Sequence, residues 1–334
     1  MSAAQLIQSK TRSVTFYACG GPGANLLRSH REDKPLANAS VIADEKHCFI
    51  DTSTANLDGV TLEDTYVVEG LDGSGSDRPR NAKAIKEAMP AILNKFRPSD
   101  FNVVLLSAAG GTGSVAGPIL IEELLNAGKK VFAVISGSHG TLKATANTIA
   151  TLTGLETAVA RTGRPIVMSY RENDQSKNNA ANNAVALMTM SALSLLCSGK
   201  NSQLDSADIG NLTNYPAVTH FPASLAMLDV YVNEEQLLTE ATNAISHIAL
   251  LKNEDAIMPS IGAAYGKYGY LPSEAAERYN ESFHFVVSNS RLKGILNKLI
   301  QRREELESAQ AVIERQTSLS TPNVKVDSDT GLVF

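Results

Sequence analysis

Three glycine-rich segments of this chain each lie between an apolar run typical of a strand and a pattern typical of a helix. They read CGGPGAN at 19–25, GLDGSGSD at 70–77 and SAAGGTGS at 107–114. Apolar strands that alternate with helices indicate a mostly parallel sheet with helices on both faces. Because the carboxyl ends of such strands meet at one edge, we expect the three segments to converge there on one phosphate-binding crevice.

The predicted elements divide the chain into a Rossmann-like α/β part and a smaller α+β part. Strands are predicted over 13–18, 41–43, 48–50, 65–70, 101–107, 129–136 and 164–170, and helices over 80–96, 115–127 and 141–161. Next come a central helix over about 174–198, strand-like segments over 217–232, 257–266 and 282–289, and helices over 233–250 and about 290–315. The predicted units are a ligand-binding domain (1–172), the central helix (173–200), a second domain (201–289), a C-terminal helix (290–316) and an acidic tail (317–334).

Composition excludes several classes of function. The 334 residues include 43% hydrophobic and 19% charged side chains, as in soluble globular proteins, and are enough for two domains. The formal net charge of −5 gives no general attraction to nucleic acid or to an anionic membrane. The N-terminus has no apolar signal segment and the longest apolar stretch, 185–197, is too short for a bilayer, so we expect neither export nor membrane insertion.

The cysteines and histidines predict no metal site. Cys19, Cys48 and Cys197 form no CxxC pair, which favours a reducing cytoplasm over a disulfide framework or a zinc module. The six histidines have no metal-ligand spacing and are interpreted as surface or core side chains. One of them, His139, follows a predicted strand at the expected ligand edge and is a candidate nucleotide contact.

Taken alone, the segment at 19–25 leaves several interpretations open. It is compatible with a tight turn, a phosphate loop, or the dinucleotide loop of a nicotinamide-dependent oxidoreductase, because Asp44 stands where a ribose-binding acid is expected. At 107–114, we expect the hydroxyls of Thr112 and Ser114 to join backbone amides in holding phosphate. The chain has no GxxxxGK[ST] motif, which excludes a P-loop.

Two of these glycine motifs are similar to motifs of one known family. The residues AGGTGSV at 109–115 resemble the tubulin/FtsZ signature GGGTG[ST]G, with Ala109 and Val115 in place of the outer glycines. The residues GGPGAN at 20–25 resemble the family's nucleotide loop GGxGxN, and 70–77 resembles its loop that senses the γ-phosphate.

Two later motifs extend the resemblance. The residues AANN at 180–183 resemble AAND on the family's central helix, with Asn183 in place of Asp, and LDSADI at 204–209 resembles its catalytic VDFADV. The order of elements matches over about residues 12–315. The short chain, altered signature and acidic tail resemble the family's bacteriophage members.

The resemblance implies a GTPase that binds GTP or GDP, with Mg²⁺ carried by the nucleotide and no resident metal ligands. By this resemblance Asn182 recognises guanine, whose edge a carboxamide matches, and Asp205 and Asp208 catalyse hydrolysis of a neighbouring subunit's GTP. The residues alone are also compatible with a plainer interpretation. Asn182 is then a solvent-facing side chain, Asp205 is a helix N-cap, and Asp208 is an acid in the first turn of that helix. The implied nucleotide-binding residues are Gly20, Gly21, Gly23, Asn25, Asp51, Gly73, Ser74, Gly75, Gly110, Gly111, Thr112, Gly113, Ser114 and Asn182.

The resemblance also implies a head-to-tail homopolymer in the cytoplasm of an infected bacterium. Its expected role is to position phage DNA or a phage compartment, without direct binding to nucleic acid or membrane. We expect Asp327 and Asp329 of the tail to dock on a neighbour, with Lys298, Arg302 and Arg303 as candidate contacts. A filament scaffold that does not hydrolyse GTP remains an alternative.

Overall fold

The structure, a computed structural model, describes residues 12–32, 44–173, 179–198, 203–289 and 291–320. The strands are β1 (Ser13–Cys19), β2 (Asp44–Asp51), β3 (Thr65–Val67), β4 (Phe101–Ser107), β5 (Lys130–Gly137), β6 (Ile166–Glu172), β7 (Leu225–Tyr231), β8 (Ala244–Leu251), β9 (Tyr265–Tyr270) and β10 (Phe283–Ser288). The α-helices are α1 (Gly20–Glu32), α2 (Arg78–Lys95), α3 (Gly113–Asn126), α4 (Leu142–Thr162), α5 (Asn179–Cys197), α6 (Ser206–Thr213), α7 (Glu234–Glu240), α8 (Ser273–Tyr279) and α9 (Leu292–Ser320).

The ten strands form one sheet in the order β3-β2-β1-β4-β5-β6-β7-β10-β8-β9. Strands β1 to β7 are all parallel, whereas β10 runs antiparallel to both β7 and β8. This confirms the predicted α/β class with a largely parallel sheet. The sheet continues from β6 into β7 through three residue pairs, so the proposed division into domains stays a prediction.

Helices bury both faces of the sheet, as the alternating pattern predicts. Phe16 and Tyr17 are consecutive residues of β1, and they belong to separate hydrophobic clusters because successive strand side chains point to opposite faces. One cluster includes Leu27 of α1 and Leu193 of α5. The other includes side chains from α2, α3, α4 and α9. Strand β4 is buried along its whole length, which its aliphatic sequence makes favourable.

The central helix α5 is a core helix. The stretch Ala180–Cys197 is long and apolar enough to cross a membrane by length and composition, but 56% of it is buried inside the protein. The hydroxyls of Thr189 and Ser191 donate to the carbonyls of Val185 and Leu187, so these polar groups are satisfied within the helix. Packing therefore accounts for the apolar character of α5.

The prediction of one helix over 233–250 is wrong. Helix α7 ends at Glu240, a turn follows in which Asn243 has a positive φ, and residues 244–251 form the fully buried strand β8. A continuous apolar run has neither helical nor strand periodicity, and the neighbours β10 and β9 decide its conformation here. The predicted strand over 257–266 is also displaced, since β9 begins at Tyr265.

Other predicted boundaries move or lie outside the described residues. The strand over 41–43 and the beginning of the central helix at 174–178 fall outside them, as do residues 321–334 with Asp327 and Asp329. The last helix continues to Ser320, past the predicted boundary at 316.

The three cysteines are buried and unpaired. Burial raises the pKa of the Cys19 and Cys197 thiols well above the ordinary value and raises that of Cys48 to about 12. Because the thiolate is the reactive form, these side chains are protected by both protonation and packing.

We expect the folded chain to react slowly with Ellman's reagent at neutral pH and to release three equivalents of thiol rapidly in denaturant. Absorbance at a matched reagent concentration measures both rates. Fast modification of any cysteine in the folded protein would contradict the burial of all three side chains.

The glycines of the first and third segments let two connections pack together. Strands β1 and β4 are neighbours, and a Cβ on Gly113 would lie 2.6 Å from the carbonyl oxygen of Cys19 and 3.0 Å from the Ser107 nitrogen. Gly20 has a φ of +76°, and a Cβ there would lie 2.9 Å from the Gly113 nitrogen. Real Cβ atoms do not approach backbone so closely, so both positions require glycine.

Gly113→Ala should therefore lower the free energy of unfolding by about 1–3 kcal/mol, as overpacking does in rigid surroundings. Gly154→Ala is the matched control, since its Cβ meets nothing within 4 Å in helix α4. That control should gain about 0.5–1 kcal/mol from helix propensity. Urea denaturation measures both, and equal stability of the two variants would contradict the close packing at Gly113.

Candidate functional site

The three glycine segments meet at the carboxyl edge of the parallel strands. Gly20 lies against Gly113, and a Cβ on Gly111 would lie 2.3 Å from the Ser74 hydroxyl oxygen and 2.9 Å from the Ser76 Cα. The 70–77 segment thus packs directly on the 107–114 segment. The predicted convergence on one crevice is confirmed by these approaches, whereas a ligand there stays a prediction.

An asparagine that sequence reasoning missed ties two of these segments together. The amide of Asn147, on α4, donates to the carbonyls of Ser76 and Ala109 at 3.1 and 3.0 Å. A second amide, from Asn81 on α2, donates to the Ser74 carbonyl at 2.9 Å. Both side chains are buried in helices, and no local sequence motif marks them.

Asp51 lies at the end of β2 and organises the floor of the crevice. It is 2% exposed. Its Oδ1 accepts from the Thr112 hydroxyl at 3.1 Å and from the Thr52 backbone at 2.7 Å, and its Oδ2 accepts from the Asn56 amide at 3.0 Å. The two threonine hydroxyls are 2.8 Å apart. Both carboxylate oxygens are therefore engaged within the protein, and Asp51 positions Thr112 and Asn56.

The hydroxyls predicted to hold phosphate are turned toward the protein. Ser114 is completely buried and donates to the Gly111 carbonyl at 3.3 Å, and Thr112 is 4% exposed. The Ser114 carbonyl accepts from Arg78, which also donates to the Thr151 hydroxyl. The groups left to meet an anion are consequently backbone amides rather than these hydroxyls.

Helix α3 begins in a way that suits anion binding. Its N-cap, Thr112, makes no side-chain capping hydrogen bond. In contrast, Asp77 caps α2, Thr141 caps α4 and Asp205 caps α6. The first amides of a helix need partners, and an uncapped N-terminus directs them and the positive end of the helix dipole at a ligand. Gly20 brings the first turn of α1 beside the same point.

A cavity of about 240 Å³ adjoins this crevice, and Asn25, Asn182 and Arg171 are among its lining residues. The second turn of α1 supplies Asn25, the beginning of α5 supplies Asn182, and the end of β6 supplies Arg171. Asn182 is half-buried, its amide nitrogen donates to the Glu172 carbonyl, and its oxygen accepts no hydrogen bond from the residues that the structure describes. Asn183 also lines the cavity but is exposed. The structure therefore brings Asn25 and Asn182 together beside the glycine segments.

His139 lies at the same edge. Its Nδ1 is 3.2 Å from Oε2 of Glu172, the residue whose carbonyl accepts from Asn182. His139 thus contacts Glu172, the residue whose carbonyl holds the Asn182 side chain beside the cavity. A direct contact with nucleotide stays a prediction.

The paired aspartates lie at the opposite edge of the sheet. Helix α6 packs on the beginning of β5, where a Cβ on Gly210 would lie 2.7 Å from Cε of Lys130. Arg12, next to the beginning of β1, donates to the carbonyl of Leu204 at 3.4 Å. Strand β4 has seven residues, and at about 3.3 Å a residue such a strand separates the two edges by about 20 Å. Asp205 and Asp208 therefore cannot reach the crevice of their own chain.

A reciprocal capping box holds the aspartates. Oδ1 of Asp205 accepts from the backbone of Ala207 and Asp208 at 2.7 and 2.8 Å, and Oδ2 of Asp208 accepts from the backbone of Asp205 at 3.4 Å. The hydrogen bonds from Asp208 and Ala207 hold the pKa of the Asp205 carboxyl below its usual value. The capping interpretation is thus confirmed, and a capped carboxylate that stays ionised is also available for chemistry.

Strand β9 supplies two further contacts that sequence reasoning missed. The Tyr265 hydroxyl donates to Oδ1 of Asp208 at 3.1 Å and accepts from the Asn211 amide at 3.1 Å. Nζ of Lys267 lies 3.9 Å from the same Asp208 oxygen. These residues lie more than fifty positions from Asp208 in sequence, so only the fold brings them together.

Asp44 does not support the oxidoreductase alternative. It is the first residue of β2 and pairs with Ser13, so it lies at the amino edge of the sheet, away from the glycine segments. A dinucleotide-binding fold places the ribose-binding acid at the carboxyl edge.

Two of the basic residues expected to receive the tail are paired within α9. Arg302 lies 3.0 Å from Glu305, and Arg303 lies 3.5 Å from Glu307. The tail residues Asp327 and Asp329 are outside the described residues, so the docking stays a prediction.

Curated relatives cover almost the whole chain. The phage tubulin-like protein of Pseudomonas phage phiKZ is 27% identical over 330 residues, which are 97% of this chain and 98% of the relative. The phage tubulin-like protein of Pseudomonas phage PhiPA3 is 26% identical over 313 residues, 93% of this chain and 94% of the relative. No protein-family model matches.

Solved structures agree with these relatives. A protofilament of TubZ from bacteriophage PhiKZ has a TM-score of 0.83 at 26% identity and covers 96% of this chain and 99% of that chain. The GDP structure of the phage tubulin PhuZ, at 21% identity, shares the fold with a TM-score of 0.80, again over 96% and 99% of the two chains. Because sequence and fold agree over nearly the whole length, the chain is similar to phage tubulin-like proteins and shares the fold of the tubulin/FtsZ family.

Proposed function

We propose that this chain is a GTP-dependent cytoskeletal protein that assembles head to tail and hydrolyses GTP at the contact between subunits. The observation that carries this proposal is the separation of the site into two halves. The glycine segments lie at the carboxyl edge of the sheet, and Asp205 and Asp208 lie about 20 Å away at the amino edge. A complete site then needs two copies of the chain.

Such a contact determines the form of the assembly. The carboxyl edge of one subunit would meet the amino edge of the next, and each subunit would keep one free edge of each kind. A contact between different surfaces that does not close by rotation extends into a filament. The protofilament structure from PhiKZ supports this arrangement.

The chemistry follows from the groups at each edge. Backbone amides at the uncapped beginning of α3 and the first turn of α1 bind phosphate oxygens, while Asn182 binds the guanine edge. Phosphoryl transfer needs positioning and charge stabilisation more than covalent chemistry. The neighbour's Asp205 and Asp208 accept hydrogen bonds from the attacking water and orient it.

Magnesium is expected to arrive with the nucleotide. Both oxygens of Asp51 accept hydrogen bonds from protein donors, and this carboxylate positions Thr112 and Asn56 at the crevice. A Mg²⁺ ion bound mainly by phosphate and water fits that arrangement, and its charge would offset that of the triphosphate.

The cellular role follows from the relatives. Both are phage tubulin-like proteins, which supports a filament in the cytoplasm of an infected bacterium that positions phage DNA or a phage compartment. The filament would act on such cargo indirectly, without binding nucleic acid or membrane itself.

Asp205→Ala and Asp208→Ala should keep GTP binding and filaments but abolish GTP turnover. Asp205→Asn separates catalysis from capping, because Asn caps a helix as well as Asp does, whereas Ala costs about 0.5–2 kcal/mol. We expect Asp205→Asn to have the same free energy of unfolding as the wild type in urea denaturation. We expect it to lose phosphate release to the same extent as Asp205→Ala does. Loss of nucleotide binding in either Ala variant would argue against catalysis between subunits.

The GTPase rate per molecule should rise with protein concentration, because active sites form only where subunits stack. Phosphate release is measured over a range of protein concentrations at saturating GTP, with light scattering as the readout of assembly. A specific activity that stays flat from well below to well above the assembly threshold would mean that each subunit holds a complete site.

A further inference from the structure

A second cluster of chemically capable side chains lies away from the nucleotide crevice. His30 is in the last turn of α1, and Glu45 and His47 lie two residues apart on β2, so they point to the same face of the strand. The side chains of His30, Glu45 and His47 are 3%, 8% and 17% exposed. The cluster lies at the amino end of β2, where Glu45 is opposite Val14 of β1.

The three side chains converge on one point. Nε2 of His30 lies 3.3 Å and Nε2 of His47 lies 2.9 Å from the same oxygen, Oε2 of Glu45. All three candidate ligand atoms lie within 4.8 Å of one another. Ligand atoms around a tetrahedral zinc ion are about 3.4 Å apart, given bonds of about 2.0–2.1 Å. Small movements would therefore place all three atoms in a first coordination sphere.

The surroundings hold the ligands in this orientation. The Ser194 hydroxyl, on α5, donates to the other oxygen of Glu45. Nδ1 of His30 is buried without a hydrogen-bond partner among the described residues, so the polar contact of this ring is made through Nε2. Glu45 supplies a carboxylate oxygen, a ligand that zinc takes alongside imidazole nitrogen.

A path to solvent is present. A cleft of about 550 Å³ beside β2 is lined by Glu45 and His47, among others. A water molecule from this cleft can complete a tetrahedron whose other corners are two imidazoles and one carboxylate. Two histidines, one acid and an open position suit zinc and related divalent transition metals, for which imidazole is a preferred ligand.

We propose that His30, Glu45 and His47 form a binding site for one divalent transition-metal ion of the zinc type, which ties the end of α1 to the beginning of β2. Among the described residues, the imidazoles of His30 and His47 are in hydrogen-bond contact with this buried carboxylate. A metal ion bound by all three side chains would replace these hydrogen bonds and stabilise the fold. The site is separate from the nucleotide crevice, since it lies at the other edge of the sheet.

Zinc titration of the full chain tests the proposal. The protein is stripped with EDTA and studied without nucleotide, so that phosphate cannot carry the ion. We expect one equivalent of Zn²⁺ to bind by calorimetry and the thermal midpoint to rise. At a hundredfold excess of free Zn²⁺ over Kd, the folding equilibrium constant should increase about 100-fold. Co²⁺ should give the intense visible absorption of a tetrahedral site.

Variants identify the ligands. His47→Asn and Glu45→Gln should each weaken Zn²⁺ binding at least about tenfold and remove the Co²⁺ absorption. His139→Asn is the matched control, because His139 also pairs with a carboxylate, Glu172, but has no second histidine beside it. It should bind Zn²⁺ as the wild type does. Circular dichroism checks that each variant is folded, and His47→Asn, at the most exposed position, decides the result if Glu45→Gln unfolds.

Two outcomes would overturn the proposal. One is the absence of a saturable equivalent of Zn²⁺ in the wild type, which would mean that the cluster is held by imidazole–carboxylate hydrogen bonds alone. The other is unchanged Zn²⁺ affinity and Co²⁺ absorption in folded His47→Asn, which would place the ion elsewhere on the protein.

Discussion

The common direction of strands β1 to β7 separates the two halves of the candidate site. In a parallel sheet every strand presents its carboxyl end at one edge and its amino end at the other. The glycine segments follow β1, β3 and β4 and therefore collect at the carboxyl edge. Helix α6 instead packs against the beginning of β5, at the amino edge. Seven-residue strands are too long for a side chain at one edge to serve a ligand at the other.

Close packing at the carboxyl edge makes the crevice possible. Backbone meets backbone at Gly20 and Gly113, and a hydroxyl meets backbone at Gly111, at distances that leave no room for a Cβ. The same approach directs the first turns of α1 and α3 toward one point. Since α3 has no side-chain cap, its first amides are available to a ligand. Backbone amides can hold an anion at this edge, which is compatible with an overall acidic protein.

Local patterns predicted the features that depend on neighbouring residues. Strand periodicity and glycine position predicted β1, β4 and β5 and the convergence of the loops, because parallel topology follows from alternation. The capping role of Asp205 was also predictable from its place before α6. Sequence could not distinguish strand β8 from a helix, since residues 244–251 are apolar throughout and their neighbours in the sheet decide the conformation.

Contacts between distant residues were not predictable in the same way. Tyr265 reaches Asp208 only because β9 lies beside α6 in the fold. His30 and Glu45 are fifteen residues apart on different elements. A search for metal-binding motifs by short sequence spacing does not find such a pair. The hydroxyls of Thr112 and Ser114 were expected to face phosphate, but the buried Asp51 and the Gly111 carbonyl engage them.

In the proposed assembly one subunit's crevice is completed by the next subunit's aspartates, which can be tested by mixing two defective variants. Asp208→Ala keeps the crevice, whereas Asn182→Ala keeps the aspartates but binds GTP weakly. Phosphate release is measured for each variant alone and for their mixture, at a GTP concentration that saturates only Asp208→Ala. The two-subunit site predicts that the mixture releases phosphate faster than the sum of the separate rates. A mixture that equals that sum, while light scattering shows the variants assembled together, would contradict it.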